Sequence, residues 1–158
     1  MSYESKREPR TINKAFRYQL CPNKEQRGLL VKAFGCARIF YNHFLNVVID
    51  IYQRTGKGLS SEDQGELLVA LKQHPDYEWL KEVPSQILQT TLLNLRVAYT
   101  NFFKKRAKYP RFKKKHKKQS IRFPQGICVE GDFVYIPKIG WTLLVSGALV
   151  NLFTYQRL

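Results

Sequence analysis

Apolar residues in the first half of the chain recur at spacings of three and four. After Asn23 they form one long series, made of Leu30, Ala33, Phe34, Ala37, Tyr41, Phe44, Leu45 and Val48. That spacing places them on one face of an α-helix, which we predict to run to about Arg54. Asn23 and Gln26 have the residue types and the spacing of a reciprocal helix cap, so the helix should begin there. We expect Tyr41 in the core and His43 at the surface or at a cap.

Two more helices are predicted before residue 104. The sequence TGKGL at residues 55–59 predicts the turn that ends the first helix. Ser61 with Gln64 repeats the capping pattern ahead of a short helix, and Pro84 begins a long one. The apolar face of the long helix consists of Leu88, Leu92, Leu95, Ala98, Tyr99, Phe102 and Phe103. Between these two helices, a tight turn should fill the bundle with Tyr77, Trp79 and Leu80.

The apolar periodicity changes from helical to two after residue 118. Residues 120–123 (SIRF) predict a short strand. Residues 127–130 and Phe133–Ile136 flank Gly131-Asp132, which is a two-residue hairpin signal. The apolar residues after Thr142 predict a last strand or two.

A period of two also appears at the start of the chain. Residues 11–20 place Ile12, Phe16, Tyr18 and Leu20 on one face, which predicts a strand. A single strand needs partners, and the only other predicted strands lie beyond residue 118. We therefore predict an α+β fold, in which a small split β-barrel or sheet joins the first strand to the last ones and a helical bundle is inserted between them.

This organisation divides the chain into five parts. The predicted parts are a disordered basic arm at residues 1–10, a split β-barrel at residues 11–22 and 119–142, a helical bundle at residues 23–108, a basic connecting loop at residues 104–118, and an atypical tail at residues 143–158.

Composition narrows the choice of partner. The net charge of the 158-residue chain is +15, so an acidic partner is expected, and no long apolar run predicts a membrane span or signal peptide. Cys21, Cys36 and Cys128 are odd in number and lack a C-x-x-C pair, which argues against a disulfide framework or structural zinc. We expect a reducing cytoplasm, no membrane and no cofactor or metal.

The densest charge lies at residues 104–118, KKRAKYPRFKKKHKK, hereafter the basic segment. Ten of its fifteen residues are Lys or Arg and none is acidic, so a polyanion such as nucleic acid is the expected ligand. Cations at the end of the long helix also complement its dipole, which explains part of the run. The alternative is a solvated, disordered loop. The predicted nucleic-acid-binding residues are Lys104, Lys105, Arg106, Lys108, Tyr109, Arg111, Lys113, Lys114, Lys115, Lys117, Lys118 and Arg122.

Two rings interrupt these charges. Tyr109 and Phe112 are candidates to stack on an unpaired base. The alternative is that they anchor the loop to the core, which we favour for Phe112.

Several strings resemble one family. They are NKAFRYQLCPNKEQ, GCARIFYNHFL, YTNFFKKR, YPRFKKKH, QSIRFPQG and VYIPKIGW, which span roughly residues 12 to 141 in the right order. They look like the N-terminal half of TnpB (OrfB-type) proteins, which are transposon-encoded, RNA-guided DNA nucleases of prokaryotes, also called transposases with an N-terminal helix-turn-helix domain.

The resemblance implies a wedge-type β-barrel split by a helical recognition bundle. In the family these parts hold the guide-RNA scaffold and read a short DNA motif beside the target, while base pairing reads the target itself. Ser85, Gln86 and Gln89 fall where the family approaches the motif duplex. Because Gln can bond adenine bidentately, Gln89 is the main candidate for base reading, and the alternatives are a buried capping residue and a plain solvent-exposed one.

The family's nuclease half would follow Trp141, with three carboxylates for two metal ions and usually a Cys-pair zinc ribbon. Residues 142–158 contain no Asp, Glu or Cys, and two-metal cleavage needs clustered carboxylates. The resemblance therefore implies a truncated or frameshifted copy that binds guide RNA and target-adjacent DNA without cleaving it, and no catalytic residue is assigned.

Two other functions stay open. One is a stand-alone helix-turn-helix regulator of duplex DNA, although the turn at residues 55–59 is long and Glu62, Asp63 and Glu66 would repel phosphate. The other is a non-functional transposase product that does not fold stably. The oligomeric state, the DNA motif and the RNA are not predicted.

Overall fold

The structure, a computed structural model, describes residues 16–145 together with residues 151 and 152. The predicted arm at residues 1–10 and the beginning of the first predicted strand lie outside the described residues. The helices are α1 (Lys24–Thr55), α2 (Ser61–Gln73) and α3 (Ser85–Phe103), with a 3-10 segment at Pro75–Glu82. The strands are β1 (Phe16–Arg17), β2 (Gln19–Cys21), β3 (Cys128–Glu130), β4 (Phe133–Ile136), β5 (Gly140–Val145) and β6 (Asn151–Leu152).

Helix α1 begins and ends where its local sequence predicts. The Gln26 backbone N–H donates to Asn23 Oδ1 at 2.8 Å, and the Asn23 backbone N–H donates to Gln26 Oε1 at 3.0 Å. These two bonds satisfy N–H groups that the first turn leaves unpaired. At the other end Gly56 has a φ of 69°, and its N–H donates to the Tyr52 carbonyl at 2.8 Å. Glycine adopts this left-handed conformation at little cost, which ends the helix.

The cap of α2 lies one residue earlier than predicted. Ser61, the predicted cap, is the first residue of α2, and the cap is Ser60. Ser60 Oγ accepts from the Asp63 N–H at 3.1 Å, and Asp63 Oδ2 accepts from the Ser60 N–H at 2.9 Å. The backbone N–H of Ser60 lowers the pKa of the Asp63 carboxyl. An ionised carboxylate in the first turn also complements the helix dipole.

The helices share a core that α1 and α3 dominate. Phe40, Phe44 and Leu45 on α1 meet Leu88 on α3, all with side chains at most 1% exposed, and the Phe40 and Phe44 ring centroids are 4.6 Å apart. Tyr41 is buried there as predicted, and Leu80 from the 3-10 segment closes the cluster. This apolar burial supplies most of the stability that holds the bundle together.

The strands pair across the whole length of the chain. The four-stranded antiparallel sheet has the order β2-β5-β4-β3, and β1 pairs with β6 beside it. The β4–β3 hairpin turns at Gly131-Asp132, as predicted. Strand β2 pairs with β5 so that Leu20 lies opposite Leu144, which confirms that the first strands join the last ones. The fold is α+β, while closure of the sheet into a split barrel stays a prediction.

The predicted strand at residues 120–123 is wrong. This stretch crosses from the bundle to the sheet without strand pairing. Ile121 and Phe123 are half-buried, and they pack against the cluster formed by Ala33, Ala37 and Ile87. Alternation of apolar side chains therefore reflects burial on one side of an extended connector rather than a ladder of backbone hydrogen bonds.

The two faces of the sheet differ in exposure. Val134, Ile136 and Leu144 are buried against Leu30 of α1 and Phe123, and Thr142 is buried on the same face. The opposite face is exposed and carries Phe133, Tyr135, Trp141, Leu143 and Val145. Gln26 Nε2 donates to the Trp141 carbonyl at 2.7 Å, which ties the start of α1 to β5. Among the described residues, no helix is both long and apolar enough to cross a membrane.

The bundle core predicts a contrast between two leucines of α3. Leu88→Ala removes a side chain that is 0% exposed and should lower the free energy of unfolding by about 2–5 kcal/mol, because it leaves a cavity. Leu93→Ala, at a site 47% exposed on the same helix, is the matched control and should cost less than about 1 kcal/mol. Urea melts of the two variants measure this difference, and equal losses would contradict the assigned core.

Candidate nucleic-acid interface

Positive charge is concentrated in one part of the described structure. From Val83 to Val129 the chain carries no Asp or Glu, and twelve of its 27 Lys and Arg residues lie there. The stretch consists of α3, the basic segment and the connector to the sheet. Among the described residues, no basic side chain of the basic segment forms an ion pair. Its cations are therefore not neutralised within this part of the chain.

An aromatic cluster holds the beginning of the basic segment against α3. The Tyr109 ring meets Tyr99 and Phe102 edge-on, with centroids 5.7 Å and 5.1 Å apart, and the hydroxyls of Tyr109 and Tyr99 are 3.2 Å apart. Burial and the bond to Tyr109 raise the pKa of the Tyr99 phenol. Pro110, next in sequence, is buried. Tyr109 thus anchors the segment, while Phe112, expected to anchor it, is 51% exposed.

Asn42 of α1 latches the middle of the basic segment. Its Oδ1 accepts from the Lys113 backbone N–H at 2.8 Å, and its Nδ2 donates to the Lys113 carbonyl at 3.0 Å. One amide side chain thereby satisfies both backbone groups of a residue that belongs to no helix or strand. Such a two-point contact fixes both the position and the direction of the backbone.

The Lys113 side chain also turns towards the bundle. Its Nζ lies 4.2 Å from the centroid of the Tyr41 ring, which is a cation–π geometry. Burial of the ammonium lowers the pKa of Lys113, although the residue as a whole remains exposed. Lys113 was predicted to contact nucleic acid along with its neighbours. The structure places its ammonium against α1 instead of presenting it with the other cations.

A third contact fixes the end of the basic segment. Arg38 of α1 donates from a guanidinium nitrogen to Gln119 Oε1 at 3.0 Å, and Gln119 Nε2 donates to the Lys115 carbonyl at 3.0 Å. Arg38 and Asn42 are four residues apart and so lie on the same face of α1. That face, together with Tyr99 on α3, holds the segment at three points.

Most predicted phosphate contacts are presented to solvent. The exposed residues are Lys104, Lys105, Arg106, Lys108, Arg111, Lys114, Lys115, Lys117, Lys118 and Arg122.

The three candidate base-reading residues lie in the first turns of α3 but do not act as one group. Ser85 Oγ accepts from Lys72 Nζ at 3.1 Å, and Gln86 Oε1 accepts from the Gln125 N–H at 3.3 Å. Gln86 therefore holds the connector after the basic segment. Gln89 is exposed and lines an open groove between α2 and α3, together with Gln73. Of the two amide side chains, that of Gln89 is the more exposed.

Sequence reasoning missed three residues that shape this surface: Arg38, Asn42 and Tyr99. The sequence predicted Tyr41 in the core and His43 at the surface or at a cap, and it assigned no role to Asn42. His43 lies mid-helix and half-buried, 5.3 Å from the Tyr77 ring centroid, rather than at the surface or at a cap, and burial lowers its pKa. The only local signal for Asn42 was an amide beside a buried ring.

Comparison with known proteins gives the family. A family model described as a helix-turn-helix domain of the OrfB type matches residues 12–57. The chain is 35% identical over 149 residues to "Putative RNA-guided DNA endonuclease InsQ" of Escherichia coli, which covers 90% of this chain and 37% of that protein. It is 38% identical over 106 residues to "Virulence protein VsdF" of Salmonella dublin, which covers 61% of this chain and 89% of that protein.

The chain belongs to the TnpB/OrfB family. A Streptomyces pristinaespiralis relative named "Putative RNA-guided DNA endonuclease" is 34% identical over 69% of this chain and 27% of its own length. The chain thus spans about a third of the length of the two endonuclease relatives. Of the TnpB/OrfB helix-turn-helix match, the described residues form β1, β2 and one unbroken helix, α1. Among the described residues of this TnpB/OrfB chain, no three His, Cys, Asp or Glu side chains could hold a metal ion together.

The Asn42 latch predicts a local effect of one substitution. Asn42→Ala removes both hydrogen bonds to Lys113, so the free energy of unfolding should fall by about 1–2 kcal/mol. The Lys113 amide should also exchange its hydrogen faster, because its acceptor is gone. Asn46→Ala, one turn further on α1 and exposed, is the control. Hydrogen exchange followed by NMR measures the exchange rate of the Lys113 amide. An unchanged rate in the Asn42 variant would rule out the latch.

Proposed function

We propose that this chain binds RNA and DNA through its basic segment, holding a guide-type RNA scaffold and the DNA beside a target, and cuts neither. The observation that carries the proposal is a set of exposed cations on a backbone held at three points, in a stretch without acids. Like charges held at fixed positions repel one another. Phosphates of a bound polyanion would relieve this repulsion and release condensed counterions.

The proposed role of each cation depends on whether its side chain is exposed or packed against the bundle. Exposed residues such as Lys104, Arg111 and Lys114 would contact phosphates, which positions the nucleic acid without reading its sequence. Lys113 would act through its contact with Tyr41, by holding the segment in place. The names of the two endonuclease relatives support RNA as one partner.

Base reading is assigned to Gln89. A Gln side chain can bond the edge of adenine with two hydrogen bonds in the major groove. The exposed position of Gln89 between α2 and α3 leaves its amide accessible, whereas Gln86 Oε1 already accepts from the connector. Ser85, bonded to Lys72 at the edge of the same region, would support Gln89 rather than read a base.

No catalytic residue is assigned in this chain. Two-metal cleavage of a phosphodiester needs clustered carboxylates. Of the described acids, Asp50 lies on α1, Asp63 at the start of α2, Asp76 in the 3-10 segment and Asp132 at the hairpin tip. The residues of the described chain do not fit such a metal pair, and the proposal includes no hydrolytic step.

A stand-alone regulator of duplex DNA is the second candidate, favoured by the helix-turn-helix description of the matching family model. Helices α1 and α2 are joined by five residues, Gly56 to Ser60, and α2 begins with Glu62 and Asp63. Acids at that end would repel the phosphates that a recognition helix approaches. Tight binding to a palindromic duplex without RNA would favour this candidate over the first.

The proposal predicts a steep dependence of binding on salt. If six phosphates are contacted, affinity for RNA and for DNA should fall about a thousandfold between about 50 and 200 mM salt. Lys114→Ala should lower the slope of that dependence by about one contact, whereas Lys57→Ala, in the turn after α1, should leave it unchanged. Filter binding across a salt series provides the measurement. Salt-independent binding, or no binding to either nucleic acid, would refute the proposal, and nicking of the DNA would refute its non-cleaving part.

Gln89 predicts a change in sequence preference rather than in overall affinity. With RNA bound, Gln89→Ala should relax the choice of one base, with a loss of about 1–3 kcal/mol for the preferred sequence. Gln73→Ala, in the same groove on α2, is the matched control. Selection from randomised duplexes followed by sequencing shows the preference. An identical motif for wild type and the Gln89 variant would remove Gln89 from base reading.

A further inference from the structure

One ring at the end of α3 departs from the helix pattern. Phe103 closes the apolar series that predicted the buried face of α3, yet 66% of it is exposed. It is the last residue of the helix, and the basic segment begins immediately after it. A single exposed aromatic residue is unremarkable by itself. Phe103 differs from an ordinary exposed ring because other aromatic rings contact it and three cations follow it in sequence.

The Phe103 ring is supported from the protein side. Its plane lies 24° from that of Tyr99, with centroids 6.4 Å apart, and the Phe102 centroid lies 5.4 Å away. Tyr99 is itself bonded to Tyr109 through their hydroxyls. Phe103 is therefore the outer member of a cluster of four rings. A ring that contacts two others and keeps most of its surface exposed is an apolar platform.

Three cations follow Phe103 directly in sequence, in a defined backbone turn. The N–H groups of Lys104 and Lys105 donate to the carbonyls of Thr100 and Phe102, and the Arg106 N–H donates to the Asn101 carbonyl at 2.8 Å. Lys105 adopts a left-handed conformation with a φ of 57°, which ends the helix and turns the chain. All three side chains are exposed. Phosphates on either side of a base stacked on Phe103 would have cations within reach.

We propose that Phe103 is a stacking seat for an unpaired nucleobase of single-stranded RNA or DNA. Bases stack on aromatic rings regardless of their identity, while neighbouring cations hold the backbone. The bases within a duplex already stack on one another and are paired, so an unpaired base is the one that can leave its neighbours and stack on a protein ring. Tyr109 suits this role less, because its hydroxyl is bonded to Tyr99 and two rings meet it edge-on.

The absence of acids between Val83 and Val129 favours nucleic acid over an apolar protein segment as the occupant. The inference rests on the proposed function, because a stacking seat needs a chain that binds nucleic acid. Phe103 would give this chain a preference for unpaired strands over duplexes.

The test compares three variants of the full chain. Phe103→Ala removes the platform, Phe103→Trp keeps it, and Val97→Ala removes another exposed apolar side chain of α3, 49% exposed. The probes are a short mixed-sequence strand of RNA, the same strand of DNA, and the blunt DNA duplex. A second readout uses 2-aminopurine in the single strands, whose fluorescence is quenched when the base stacks.

We expect Phe103→Ala to lose about 5- to 150-fold in affinity for single strands, with the salt slope and duplex affinity unchanged. Phe103→Trp should retain affinity and quenching, and Val97→Ala should match wild type. A loss on RNA alone, on DNA alone or on both supports the seat and identifies its strand. Equal affinities of Phe103→Ala and Val97→Ala for both single strands, or an equal loss on duplex, would overturn the inference alone. Failure of wild type to bind any probe would overturn the proposed function as well.

Discussion

The pairing of β2 with β5 is the constraint on which the architecture depends. The backbone groups of Gln19–Cys21 find their partners in Gly140–Val145, near the other end of the chain. Backbone N–H and C=O groups without a hydrogen-bond partner cost free energy wherever they are shielded from water. The early strand β2 is therefore stable only when β5 pairs with it. The chain between β2 and β3 must leave the sheet and return to it. The helical bundle is therefore an insertion, and its two crossings lie where α1 begins and where α3 ends.

The second crossing is where the molecule concentrates its charge. A chain returning from α3 to β3 could be a loose linker, yet here Tyr109 and Lys113 contact the bundle directly, and Gln119, which bonds the Lys115 carbonyl, accepts from Arg38 of α1. These contacts use the Tyr109 side chain, backbone groups of Lys113 and Lys115, the Gln119 amide and the inward-turned Lys113 ammonium, which leaves the other cations of the basic segment exposed. Because the anchors and the exposed cations are different groups, the segment has a defined shape without neutralising itself. A ligand that binds it meets a surface that is already ordered.

Local patterns predicted the elements, and tertiary contacts decided the details that they missed. The 3.6-residue period of α1 and α3 and the Gly131-Asp132 hairpin signal were confirmed, because each depends on neighbours in sequence. The end-to-end pairing followed by elimination, since a lone strand needs a partner. The strand predicted at residues 120–123 was wrong, because an extended connector that buries alternate side chains has the same apolar pattern as a strand. The Asn42 contact with Lys113 joins residues far apart in sequence, and no spacing rule reports such a pair. The direction of Lys113 likewise depends on Tyr41.

The bundle and the sheet contain one tryptophan each. Trp79 is half-buried in the bundle, where its Nε1 donates to the Asp76 carbonyl at 3.1 Å. Trp141 lies on the exposed face of the sheet, with its ring centroid 5.6 Å from that of Tyr135. Indole emission depends on the polarity around the ring, so each half carries its own intrinsic fluorophore. Replacing either one by phenylalanine would leave a single optical reporter, and whether bundle and sheet melt together would become directly visible without any attached dye.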